Sequence, residues 1–316
     1  MLARALLVAV ALEALALSWL GATVAGEDGI GRAIGVVAAV ALGWRLVVVA
    51  LTYLVAFLSP GRKAGIDPAG PLALGAGFVA EWAAFAALFA VIQPFVRWTM
   101  GRPDRAFGPA CGTPVVLVHG YLCNRGFWWS VARHLGRSGY RVHTIDLEPV
   151  FGDIDGFARQ LDARIATVRL AGGGRTIALV GHSMGGLVIR AWLREHGAEG
   201  ISGVVTLGSP HHGSSLAWLG LGRNAVQMRP KSSWLSALAA WEGRGVAAMF
   251  VSIYSGEDNF VSPQASARLA GARNVPLQGV GHLAMAFSRQ VRTGLLEALS
   301  DIEAESHRCA PAGETL

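Results

Sequence analysis

Ile177-Ala178-Leu179-Val180-Gly181-His182-Ser183-Met184-Gly185-Gly186 is the stretch that decides how the rest of the chain is read. Four apolar residues suited to a buried strand run into a serine flanked by glycines, and a helical pattern over Gly185–His196 follows at once. A turn this sharp between strand and helix needs Gly181 and Gly185 on either side to avoid clashes. It lifts the Ser183 hydroxyl to the sheet edge, with the free N–H groups of a helix start behind it. The pentapeptide alone is a weak signal, since glycine and serine are common; the strand–turn–helix context gives it meaning. The bland alternative is a tight turn without chemistry.

Working outward, short β-rich runs alternate with helical spacings. Strands are expected at Val115–His119, Arg141–Ile145, Thr176–Val180, Ile201–Leu207, Ala248–Ser252 and Val275–Val280. Helices are expected at Phe127–Gly139, Gly156–Leu170, Gly185–His196, Pro263–Leu269 and Leu283–Leu299. Continuous apolar strands between amphipathic helices predict an α/β fold, a mostly parallel sheet with helices on both faces. Ligands in such sheets bind beyond the carboxyl ends of the strands, and every candidate residue falls at such an end.

A serine hydroxyl is a weak nucleophile at neutral pH and needs a base beside it. Gly281-His282-Leu283 follows the last expected strand, so His282 is the candidate base; His307 lies in the polar tail. The base needs a carboxylate to fix its tautomer. Asp258, after the fifth strand, is the choice and Glu257 the fallback. An oxyanion hole needs two N–H donors. Met184 supplies one, and the turn at Gly120 turns the Tyr121 N–H toward the same place. His119 reads as a supporting residue rather than a second base.

The first hundred residues are of another kind. The chain has 27 Lys or Arg and 21 Asp or Glu, yet only eleven of them precede residue 101. Three apolar runs there, 5–25, 33–58 and 72–96, are long enough to cross a bilayer. They predict a helical transmembrane domain over 1–100, ahead of a catalytic domain over 101–306 and a polar tail over 307–316. A cleaved signal peptide is the alternative for the first run, but Glu13 in its middle argues against it. Each run carries one central ionisable residue: Glu13, Arg45 and Glu81. Such residues pair inside bundles, so Arg45 is expected to sit between the two glutamates. The protein is expected to be a multi-pass membrane protein. Lys and Arg counts do not settle its orientation; the region after the three runs is placed outside the cytoplasm as a functional preference, not a reading of residues.

The net charge of +6 is spread singly, with no basic face to track phosphates, which argues against a nucleic-acid partner. Cys111, Cys123 and Cys309 stand at no metal-ligand spacing. Free thiols are expected, with a Cys111–Cys123 disulfide as the alternative. No metal or organic cofactor is implied.

Residues 114–300 resemble bacterial triacylglycerol lipases and esterases of the α/β-hydrolase superfamily. The resemblance rests on Val118-His119-Gly120, Gly181-His182-Ser183-Met184-Gly185-Gly186, Gly208-Ser209-Pro210-His211-His212-Gly213-Ser214, Asp258 with Val261 and Pro263, and Gly281-His282. It implies an α/β-hydrolase fold, a Ser183–His282–Asp258 triad and cleavage of lipid or other apolar esters through an acyl-enzyme. An acyltransferase, a thioesterase or a non-catalytic ligand-binding scaffold are the alternatives. The apolar stretch over 213–245 reads as a cap forming an acyl pocket, with Trp128 and Trp129 either at its mouth or in the core. The three-run front is what typical secreted lipases lack.

Overall fold

A computed structural model describes residues 1–25, 29–59, 69–241 and 244–309. Residues 26–28, 60–68 and 242–243 and the polar tail from 310 lie outside the described residues, as does the side chain of His307.

The chain opens with three apolar helices, α1 (Leu2–Ala25), α2 (Ile30–Leu58) and α3 (Pro71–Ala86), the last continued by a π-helical turn over Ala87–Ile92. All three are long and apolar enough to cross a membrane. The third stops at Ile92 rather than at 96. Pro94 lacks the N–H a continuing helix needs, and the one-turn α4 (Val96–Thr99) follows.

β1 (Pro114–Val118) begins the sheet, and a 3-10 turn leads into α5 (Trp129–Arg137). Then come β2 (Arg141–Thr144), α6 (Ile154–Ala171), β3 (Ile177–His182), α7 (Met184–His196) and β4 (Ile201–Leu207). The next stretch holds three short helices, α8 (Gly222–Gln227), α9 (Ser233–Trp241) and α10 (Arg244–Ala247). β5 (Phe250–Ser255), β6 (Arg273–Leu277) and α11 (Arg289–Cys309) close the chain. The six strands stand in the order β2-β1-β3-β4-β5-β6, and every pairing is parallel.

Each expected strand is present, with ends displaced by up to three residues. β3 runs two residues further than its apolar run, because Gly181 and His182 still pair with Thr206 and Leu207. The closing helix begins at Arg289 rather than Leu283; a 3-10 turn over Ala284–Ala286 comes first.

Strand residues alternate between two cores. Val115, Leu117 and Val180 face one cluster with α5 and α11, while Val116, Val118 and Leu179 face the other with α6 and α7. Both faces are covered, which is why the strands read as unbroken apolar runs. The first cluster has a further member. Ala84, Leu88, Ile92, Val96 and Met100 are buried in it beside Phe127, Trp128 and Leu295. With Gly77 and Glu81, these residues form a stripe three or four apart along α3 and beyond. One face of the third apolar helix is therefore part of the core of the sheet domain, and Val79 and Val91 point outward.

Cys111 and Cys123 are both free thiols, the first exposed and the second buried. The Cys309 side chain lies outside the described residues.

Candidate active site

Ser183 is the hinge between β3 and α7, with φ 54° and ψ −126°, a left-handed conformation that a non-glycine residue adopts only under constraint. The constraint is packing. A side chain at Gly181 would meet the Gly186 nitrogen at 2.5 Å, and one at Gly185 would meet the Val118 carbonyl oxygen at 2.2 Å. Helix and strand can cross this closely only where both positions lack a Cβ. Gly120 lies equally close on the other side, where a Cβ would come within 2.8 Å of the Ser183 Cβ.

His282 follows β6, and its Nδ1 stands 2.8 Å from Asp258 Oδ2. The other Asp258 oxygen accepts the backbone N–H groups of Phe260 (2.9 Å) and Val261 (2.7 Å), so the carboxylate cannot swing. Both residues are buried. Burial alone would depress the His282 pKa, but the Asp258 charge and hydrogen bond outweigh it and raise it above the ordinary value of 6.5. Glu257 is occupied elsewhere. Its carboxylate accepts the Ala69 N–H at 3.1 Å and the Gly279 N–H at 2.6 Å.

Ser183 and His282 face one cavity of about 540 Å³. Among the described residues no hydrogen bond joins the Ser183 hydroxyl to His282. The N–H groups of Tyr121 and Met184 donate to no described acceptor.

His119 is bound at both ring nitrogens. Nδ1 bonds the Gly120 carbonyl at 2.9 Å and Nε2 accepts the Leu147 N–H at 3.0 Å. That fixes a neutral tautomer, and burial lowers its pKa in agreement. His182 stacks on Phe127 with centroids 3.9 Å apart and lies 4.5 Å from the His282 ring.

The cavity walls come from two places. From the expected cap, Leu216, Ala217, Leu219, Leu221, Ala225 and Met228 line it. The second half of that segment does something else: Leu235 and Leu238 pack in the core beside Leu187 and Ile189 of α7. Tyr121 ties cap to sheet, since its hydroxyl donates to the Leu221 carbonyl (2.8 Å) and accepts the Leu221 N–H (2.9 Å). The other wall is Val48 and Thr52 of α2 with Phe85 and Phe89 of the α3 region. Sequence reading missed these four, because they look like any other lipid-facing apolar residues. Trp128 is fully buried in the core, and Trp129 packs against the same cluster.

The expected bridge of Arg45 to both glutamates is half formed. Arg45 Nη1 and Nη2 each lie 2.6 Å from a Glu13 oxygen. Glu81 is not part of it. Its oxygens accept the N–H groups of Leu283 (3.0 Å) and Ala284 (2.7 Å). The α3 stripe faces the sheet domain and carries Glu81 with it.

Comparison with known proteins agrees with this architecture. The family model for the alpha/beta hydrolase fold matches residues 113–231. A triacylglycerol lipase of Pseudarthrobacter phenanthrenivorans is 32% identical over 112 residues, which cover 33% of this chain and 35% of that protein. The chain thus spans about a third of the length of the curated relatives it matches. Among solved structures, mature Bacillus licheniformis lipase BlEst2 superposes with a TM-score of 0.53 at 21% identity, over 64% of this chain and 96% of that one. Aspergillus fumigatus lipase B gives 0.55 at 19% identity, over 62% and 55%. The region from β1 onward has the α/β-hydrolase fold.

Proposed function

We propose that the protein is a membrane-bound serine hydrolase that cleaves carboxylic esters of lipids or other apolar alcohols and acids. The observation that carries this is that Ser183 and His282 line one apolar cavity, with Asp258 bonded to the His282 ring at Nδ1. The lipases it is similar to support the same reading.

His282 takes the Ser183 proton as the hydroxyl oxygen attacks the ester carbonyl. Asp258 holds the ring by Nδ1, leaving Nε2 for that proton, and stabilises the imidazolium. The oxyanion is held by the Tyr121 and Met184 N–H groups, with the start of α7 adding its positive end. The alcohol leaves with the proton from His282, and water then cleaves the acyl-enzyme through the same base. The acyl chain lies between the cap and helices α2 and α3. Helices α1 to α3 hold the protein in the bilayer as a multi-pass anchor, with the catalytic domain outside the cytoplasm.

The test is hydrolysis of p-nitrophenyl esters of graded chain length by the protein in lipid vesicles. Activity that favours acyl chains over acetate, and that Ser183→Ala abolishes, supports the reading. Acyl transfer to an added alcohol or thiol, with little free acid, would replace it with an acyltransferase.

A further inference from the structure

The His282 loop hangs from the apolar helices. His282 donates its own N–H to Asn259 Oδ1 at 3.1 Å, and Asn259 Nδ2 in turn donates to Thr52 Oγ1 of α2 at 2.7 Å. The next two N–H groups, of Leu283 and Ala284, are both taken by Glu81 of α3. Three consecutive backbone donors at the base are thus fixed, two by the third apolar helix directly and one through a bridge to the second. The approach is close. A Cβ at Gly281 would meet Glu81 Oε2 at 2.5 Å and Tyr53 Oη at 2.8 Å.

A carboxyl in the middle of an apolar helix is costly to bury and usually marks a functional site. Glu81 is fully buried. Arg45, the charge partner expected from the sequence, is held by Glu13 with both terminal nitrogens. What Glu81 does instead is accept two N–H groups that the turn after His282 would otherwise leave unpaired, and leaving a buried donor unpaired is costly.

We infer that Glu81 is a positioning residue for the catalytic base, and that the apolar helices complete the active site as well as anchoring it. Glu81 acts through His282 and touches no substrate. Its two bonds set where the imidazole stands relative to Ser183, and Thr52 with Asn259 sets the same residue from the other side. The inference rests on the hydrolase reading given above.

The experiment compares kcat and KM for p-nitrophenyl butyrate, a short soluble ester, with active sites counted by fluorophosphonate titration. The protein is the full chain in vesicles. Displacing a catalytic group by about 1 Å costs on the order of 10²-fold, so Glu81→Ala should lower kcat per active site by about that much with KM little changed. Glu81→Gln keeps one acceptor and sets an NH2 against an N–H, so its kcat should fall between the two. Thr52→Val, of nearly the same shape, should lower kcat by a smaller factor. Glu13→Gln disturbs the helices away from the site and should leave kcat per active site at the wild-type value. The pH profile adds a readout that folding alone would not move. The charged or titratable groups facing His282 are Asp258, Glu81 and His182. A loosened His282–Asp258 bond moves the acid limb of kcat/KM to lower pH. Wild-type kcat and pH profile in Glu81→Ala would overturn the inference. Should that variant not fold, Glu81→Gln and Thr52→Val decide: lowered kcat at constant KM sustains it, and wild-type kcat in both overturns it. A wild-type protein that folds but cleaves no ester would overturn the hydrolase reading first, and this inference with it.

Discussion

Helix α7 and helix α3 are both buried against the sheet domain, yet only one of them announces it. α7 follows a glycine-flanked serine, and most of its residues are buried. α3 is apolar on all sides, with Leu72 and Val79 outward and Gly77 and Ala84 inward. In water, an exposed face must be polar, so patterning reveals which side is buried. In lipid both sides are apolar and the pattern is silent. The comparison teaches that a helix which reads as a membrane anchor can also be a structural member of the sheet domain. The single polar residue on its hidden face, Glu81, is the trace of that second role.

The sharpest way to break this contrast starts from the sheet side. Ser183→Ala should lower kcat by about six orders of magnitude, as for loss of the nucleophile in a triad enzyme. Esterase assay of the purified variant reads it. Asp258→Asn should cost about 10⁴-fold, because the ring loses the acceptor that fixes its tautomer; Glu257 cannot substitute while its oxygens hold Ala69 and Gly279. The same variant tests the pH account. A raised His282 pKa means the ring stays protonated, and useless as a base, to a higher pH than a free imidazole would. Activity should therefore rise with pH through a midpoint above 6.5. Asp258→Asn removes the upward influence and leaves burial, so the midpoint of its residual activity should drop.

On the helix side, Leu88→Ala should destabilise the catalytic domain by about 2–5 kcal/mol, as for a core leucine. Val91→Ala, outward on the same π-helical turn, should change little. Denaturation in detergent compares the two, and equal small effects would mean that α3 is only an anchor. Phe89→Ala should give the smallest effect. It enlarges the cavity wall supplied by the α3 region and should shift preference toward longer acyl chains, by about tenfold per methylene accommodated.

Much of the sheet side was legible because its constraints are local. Gly181, Ser183 and Gly185 sit within five residues, and the order of strand ends follows from an alternating pattern. Asp258 over Glu257 was a choice between neighbours, and hydrogen-bond geometry distinguishes them: Asp258 faces His282, whereas Glu257 docks the loop on Ala69. The helix side was legible only as length and apolarity. Arg45 and Glu13 are a fair reading of charge balance. Glu81 was misassigned because its partners are backbone N–H groups 202 and 203 residues away, and a backbone donor has no identity in a sequence. The same holds for Thr52, whose partner is a side chain at the far end of the chain.

The most direct measurement treats the vesicle-bound protein with a fluorophosphonate and locates the adduct by peptide mass spectrometry. The account predicts one adduct, on Ser183, absent in Ser183→Ala and strongly slowed in His282→Ala. Folded wild-type protein without an adduct, or an adduct at another serine that persists in Ser183→Ala, would contradict it.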